Sequence, residues 1–188
     1  MNQNGVIRLL RISDLPALEW GGEYIHFRRV YREVYEQYRI GRTLPWVIDT
    51  PTDGIIGQLF VQLDSQNKRL ADGFLRAYLF SFRVKPEFQR KGWGTKLLSY
   101  VELVLLERGF QWTTLRVSKD NDLARQFYEH RGYSIVAEEQ GEWRYVDHLG
   151  IAQAVVDPSY RMEKCIMKEK SPVSSQMIML PKAIHSLK

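Results

Sequence analysis

The chain has a single cysteine, Cys165, in 188 residues, so no disulfide can form within it. Its four histidines, His26, His130, His148 and His185, are scattered and never fall at metal-ligand spacing, so no metal is expected. No apolar run approaches the ~18 residues that a bilayer-spanning helix needs. The opening Met1-Asn-Gln-Asn-Gly5 also lacks a signal-peptide pattern. No membrane partner and a cytoplasmic location are therefore expected. The net charge is only +5, and its basic residues are interleaved with acidic ones, which gives no basis for a nucleic-acid partner. Two common phosphate loops are missing as well. No G-x-x-x-x-G-K-[ST] occurs, and G-x-G-x-x-G fails because Leu97 stands where its third glycine belongs. There is no internal repeat. With 44% hydrophobic residues, the chain can bury a substantial core without staples.

The apolar pattern predicts an alternation of strands and helices. Residues 5–12 suit a first strand, and Ser13-Asp14 offers a helix cap before Pro16. Gly21-Gly22 breaks that short helix. A second helix is expected at about 23–40, with Tyr24, Phe27, Tyr31, Val34, Tyr35 and Tyr38 on one stripe. That stripe reads as core packing, with an acceptor pocket as the functional alternative for some of its tyrosines. Trp46–Asp49 and Ile55–Leu63 read as a hairpin. Leu75–Val84 is apolar enough for a central strand covered on both faces. A helix is expected from Gly92 to Arg108, a strand at Trp112–Val117, and a further helix capped by Asp120 or Asn121. Strands are also expected at Tyr133–Ala137, at about 143–148 and at Arg161–Ile166. Residues 1–167 form one predicted domain, and 168–188, with two prolines and several serines, a partly disordered tail.

The chemistry concentrates after the central strand. Phe82-Arg-Val-Lys-Pro-Glu-Phe-Gln-Arg-Lys-Gly-Trp-Gly-Thr95 reads as strand, turn and helix start. A helix start leaves backbone N–H groups unpaired and carries partial positive charge. Glycine lets that backbone approach a ligand closely. The combination suits a diphosphate.

Val84-x-Pro86-x-Phe88-Gln89-Arg90-x-Gly92-x-Gly94 resembles motif A of the GCN5-related N-acetyltransferases (GNAT), whose core is Q/R-x-x-G-x-G/A. Further on, Asn121, Ala124, Phe127-Tyr128 and Gly132-Tyr133 resemble the same family's motif B. The resemblance covers roughly residues 5–166. It implies a mixed α/β (α+β) fold whose sheet is splayed at its centre and flanked by helices, with acetyl-coenzyme A as cosubstrate. It further implies that Phe82 and Val84 hold the pantetheine arm by their main chain, with Arg83 between them in the same strand end. Gln89 belongs to the motif that precedes the diphosphate. Backbone N–H groups of Arg90, Lys91, Gly92, Trp93, Gly94 and Thr95 would hold the diphosphate, Asn121 would stand near pantetheine, and Tyr128 would protonate the leaving thiolate.

The activity this resemblance implies is that of an N-acetyltransferase. It would acetylate a primary amine by direct attack, with a backbone N–H, that of Val84, stabilising the oxyanion. The acceptor is a small-molecule or peptide amine, and a homodimer stays open. The alternatives are a non-catalytic acyl-coenzyme A sensor and a peptide N-acetyltransferase. No carboxylate lies in Arg76–Val84 to serve as base. Glu23, Glu33, Glu36, Asp72 and Asp147 are the alternatives to a relayed water. An open groove would favour a peptide amine, and a closed pocket lined by Tyr31, Tyr35 and Trp46 a small one. His130 and His148 read as surface or structural residues, and Cys165 as structural.

Overall fold

The structure, a computed structural model, describes residues 4–167. The predicted tail at 168–188 lies outside the described residues. Strands β1 (Val6–Leu9), β2 (Thr43–Thr50), β3 (Gly54–Gln62) and β4 (Arg76–Val84) form an antiparallel run. The chain then crosses through α2 (Trp93–Glu107) to β5 (Trp112–Ser118), which pairs parallel with β4. It continues through α3 (Asp122–Glu129), β6 (Ser134–Glu139), the hairpin β7 (Glu142–Val146) and β8 (Ala152–Val156), and β9 (Ser159–Cys165). Strand β9 enters the sheet between β5 and β6, antiparallel to both. The seven-stranded order is β1-β2-β3-β4-β5-β9-β6, and β7 with β8 makes a separate two-stranded sheet. This is the expected mixed α/β class.

Period-two alternation sorts the strand side chains onto two buried faces. Trp46, Ile48, Ile56, Leu59 and Val61 pack with Leu97, Leu98, Val101 and Leu105 of α2, and Tyr128 of α3 joins them. Their neighbours Val47, Ile55 and Phe60 face the other way, onto Leu18 and onto Tyr31 and Val34 of α1 (Arg28–Arg39). Burying a side chain of this size contributes roughly 1.5–3 kcal/mol, so both layers hold the sheet firmly.

Three expectations change. The first helical segment, Ile12–Gly22, is a 3-10 helix kinked at Trp20 and Gly21, whose positive φ angles of 47° and 69° interrupt any α-helical ladder. The helix expected at 23–40 begins as a 3-10 turn, Ile25–Phe27, and becomes α-helical only at Arg28. Strand β8 is an addition to the expected elements. Its Ala-Gln-Ala-Val-Val is only five residues long and mostly exposed, held in place by pairing with β7. Among the described residues, no helix is long and apolar enough to cross a membrane.

One irregularity organises the rest. The β3–β4 register steps from Gln58↔Arg83 to Phe60↔Phe80, so β4 carries one extra residue. The bulge lies at Ser81, whose φ is +52°, and buried Gln58 fastens it by donating Nε2–H to Ser81 Oγ at 2.8 Å. Bulges bend a strand and increase its twist. On the other edge, β4 pairs with β5 only as far as Leu79↔Leu115. Beyond that point the two strands diverge and leave a wedge between them.

Candidate active site

The bulge at Ser81 reverses the side-chain parity of β4. Before it, Tyr78 and Phe80 face the α1 side, where their rings stack 5.9 Å apart. An unbroken strand would keep Phe82 on that side. Instead Phe82 and Val84 pack against the α2–α3 layer. Arg83 turns toward α1, where its Nη1–H donates to the Tyr31 hydroxyl at 2.9 Å.

The backbone follows the same logic. Lys85 N–H donates to the Ile56 carbonyl at 2.8 Å, across the Gly57↔Val84 pair. Antiparallel ladders alternate direction, so the N–H and C=O of Val84 point away from β3 into the wedge. The Val84 carbonyl is taken by Gln89 Nε2–H at 2.8 Å. Its N–H remains directed at the wedge.

Below the strand end, Pro86–Phe88 forms a 3-10 turn anchored by buried Phe88. Arg90 (φ +55°) and Gly92 (φ +83°) then take left-handed conformations that aim successive N–H groups to one side. Gly92 is the N-cap of α2 and, having no side chain, makes no cap hydrogen bond to that end. The Lys96 N–H donates to the Gly92 carbonyl at 3.0 Å, so Gly94 and Thr95 precede the first intrahelical bond. Lys91 lies over the Phe88 ring, 5.4 Å from its centroid, and Lys96 over Trp93 at 4.8 Å. The Trp93 side chain is buried in the core against Gly5, so what it offers a ligand is main chain.

Helix α3 closes the wedge from the other side. Asn121 is its N-cap, and Oδ1 accepts from the Ala124 N–H at 3.0 Å, which leaves the side-chain NH₂ for other contacts. Tyr128 is buried, with its ring packed on Phe127 at 5.3 Å and Tyr133 at 5.4 Å. Burial holds its phenol far above the ordinary tyrosine range, and the nearby Tyr78 phenol adds to the effect. Arg131, absent from the sequence expectations, donates from Nη2 to Thr95 Oγ1 and lies over the Phe127 ring at 5.5 Å. It adds a cation beside the α2 start. Its position just before Gly132-Tyr133 was readable, but its contact with a residue 36 positions away was not.

On the α1 side of the wedge lies a cavity of about 490 Å³. Aromatic side chains contribute much of its wall: Phe27 and Tyr31 from the α1 region, Tyr78 and Phe80 from β4, and Trp143 from β7. Gln62, Ser81, Ser118 and Ser159 add polar groups to it, and Arg83, Arg116 and Asp157 are its charged members. The β7–β8 hairpin closes one side, since Tyr145 and Trp143 pack on Phe27 with ring centroids 5.0 and 6.0 Å away. Asp157 is held near the cavity by an unusually close backbone approach. A Cβ on Gly141 would lie 1.6 Å from the Asp157 carbonyl oxygen.

Several expected site residues stand elsewhere. Of Tyr31, Tyr35 and Trp46, only Tyr31 lines the cavity. Trp46 faces α2 and meets Tyr100 edge-on at 5.2 Å, while Tyr35 packs with Tyr38. None of the five suggested base carboxylates lines the cavity. Asp72 accepts three backbone N–H bonds from Phe74, Leu75 and Arg76, and Asp147 organises the β7–β8 turn through Leu149, Ile151 and Gln153. Asp157, absent from the sequence candidates because it sits in a turn far along the chain, is the carboxylate residue on the cavity wall. Cys165 is exposed at the end of β9.

This wedge, helix start and cavity accompany a fold shared with solved acetyltransferases. The ribosomal-protein-S18-alanine N-acetyltransferase of Escherichia coli is 21% identical, with a TM-score of 0.64 over 89% of this chain and 98% of that one. The PaiA N-acetyltransferase of Thermoplasma acidophilum, in complex with coenzyme A, is 21% identical, with a TM-score of 0.62 over 86% and 99% of the two chains. NAA60 of Arabidopsis thaliana, in complex with acetyl-CoA, is 18% identical, with a TM-score of 0.66 over 87% and 99%. No curated protein matches the chain by sequence. The family profile described as acetyltransferase (GNAT) family matches residues 10–133, well over half the sequence, and the chain therefore belongs to the acetyltransferase (GNAT) family.

Proposed function

We propose that the protein transfers an acetyl group from acetyl-coenzyme A to the primary amine of a small molecule by direct attack. The observation that carries this reading is the wedge between β4 and β5. On one side lies a helix start with left-handed Arg90 and Gly92, and on the other a partly open cavity with aromatic walls. The residues present fit the cosubstrate. The outward N–H of Val84 can pair with an extended arm as a further strand would. The N–H groups of Arg90 through Thr95, with Arg131 beside them, suit a diphosphate. The Asn121 side-chain NH₂, at the start of α3, is a further donor available to the same arm.

Acetyl-coenzyme A supplies a thioester carbonyl. The acceptor amine must be neutral to attack it. Asp157 takes the amine's proton, directly or through water, and the new C–N bond forms as the C–S bond breaks. The Val84 N–H stabilises the negative charge that develops on the carbonyl oxygen. The Tyr128 phenol gives its proton to the departing sulfur. Burial keeps that phenol protonated at any neutral or mildly alkaline pH, and the same desolvation raises the proton affinity of a thiolate beside it.

The cavity volume lies within the ~300–1,000 Å³ of small-ligand sites, which favours a small amine over an extended peptide. The test is release of coenzyme A thiol from acetyl-coenzyme A across a panel of small amines and peptides. Turnover with at least one small amine, exceeding that with peptides, is expected. Cosubstrate binding with no turnover across the panel would instead make the protein an acyl-coenzyme A sensor.

A further inference from the structure

The acceptor cavity contains a cation with no ion-pair partner among the described residues. Arg83 is half-buried, with its guanidinium over the Tyr24 ring at 4.0 Å and the Phe27 ring at 5.1 Å. Its Nη1–H donates to the Tyr31 hydroxyl. Arg116, the other arginine on the cavity wall, is by contrast paired with Glu139. Two aromatic faces and a phenol therefore fix the orientation of the Arg83 guanidinium, while several of its N–H donors keep no protein acceptor. A planar guanidinium held in this way is preorganised for two parallel hydrogen bonds to a carboxylate. The bulge at Ser81 is what brings Arg83 to this side, since an unbroken strand would turn it toward α2.

Resting on the acyl-transfer reading above, we propose that the acceptor is a small amino carboxylate, whose carboxylate is held by Arg83 and whose apolar body lies against Phe27, Tyr78, Phe80 and Trp143. The amine then points toward the wedge and Asp157. A polyamine fits poorly, because its second ammonium would meet Arg83 across a low-dielectric cavity. An uncharged peptide N-terminus leaves the guanidinium without a partner.

The experiment uses matched probes: free amino acids with aromatic, branched and short side chains, each beside its own amide, together with phenethylamine and spermidine. Binding is measured by calorimetry on the protein saturated with coenzyme A, and turnover by thiol release. For at least one pair, the acid is expected to bind about 10- to 100-fold more tightly than the amide. Arg83→Gln should bring that ratio close to one, and Arg83→Lys should keep part of it. Loss of packing alone would weaken acid and amide equally and leave the ratio unchanged, so a ratio that survives Arg83→Gln overturns the proposal. So does an amide bound as well as its acid in every pair, or a preference for spermidine. If the acids are selected but no thiol appears, acetyl transfer fails and the acceptor class stands. If thiol is released best with amides or spermidine, the acceptor class fails and acetyl transfer stands.

Discussion

Tyr128 illustrates how position and burial together set a residue's use. Its ring is wedged among Phe82, Phe127 and Tyr133, and its hydroxyl makes no hydrogen bond to another described residue. A phenol so placed stays protonated and cannot serve as a base toward the amine, and it can give its proton only to a thiolate whose own proton affinity is raised by the same desolvation. Replacing Tyr128 with Phe preserves the ring contacts and removes only the proton. The expected result is a kcat lowered by about 10²-fold or more, with the melting temperature and acetyl-coenzyme A affinity little changed. The rising limb of rate against pH, set by deprotonation of the amine, should stay where it is. Because the phenol's pKa is raised, it should cause no falling limb between pH ~6 and ~9 in the parent protein. Equal kcat for the two proteins across that range would remove Tyr128 from the chemistry.

Among the elements, β4 with its bulge carries the most information, and it is also where the sequence was least transparent. Leu75–Val84 was recognisable as a buried central strand from its apolar run. The loop after it was legible from Gly92 and Gly94 placed before an amphipathic helix. The Ser81 bulge left no such sign. Nothing about serine announces a φ of +52°, and the device that fastens it is Gln58, 23 positions away. Simple alternation from Tyr78 would turn Arg83 toward the cofactor layer, and the single extra residue puts it in the cavity. The cavity wall shows the same difficulty. It is assembled from α1, β4, the β7–β8 hairpin and the turn at Asp157, and contacts over such separations have no local pattern. Local chemistry was therefore readable at the helix starts, where Gly92 and Asn121 act within three or four residues. The cavity beside the wedge depends on register and crossing strands, which no local pattern in the sequence announces.

At the scale of the whole molecule, aromatic burial is both the frame and a liability. Tyr31, Tyr128 and Tyr133 are buried, and burial pushes each phenol upward. Tyr78, at the cavity, is shifted the same way. In the unfolded chain these tyrosines ionise near pH ~10. Below that pH both states hold the protons, and stability is unaffected. Above it the unfolded state loses protons first, so stability falls at about 1.4 kcal/mol per tyrosine per pH unit until the folded groups titrate. Thermal melting followed from pH 8 to 11.5 should show a steep drop that begins near pH ~10. Tyr133→Phe, which removes one such group, should make the drop shallower. A flat profile through pH 11 would show that these phenols are not buried in solution.

The same frame holds the wedge open for its ligand. The central claim is that the glycine-started α2 N-terminus and the splayed edge of β4 form one binding site for acetyl-coenzyme A. Calorimetric titration of acetyl-coenzyme A into the full chain tests this most directly. The account predicts one site per chain with a dissociation constant in the micromolar range, and clearly weaker binding in Gly92→Ala, where a side chain is forced into φ +83°. No binding below millimolar concentration, or equal affinity in the Gly92→Ala protein, would contradict it.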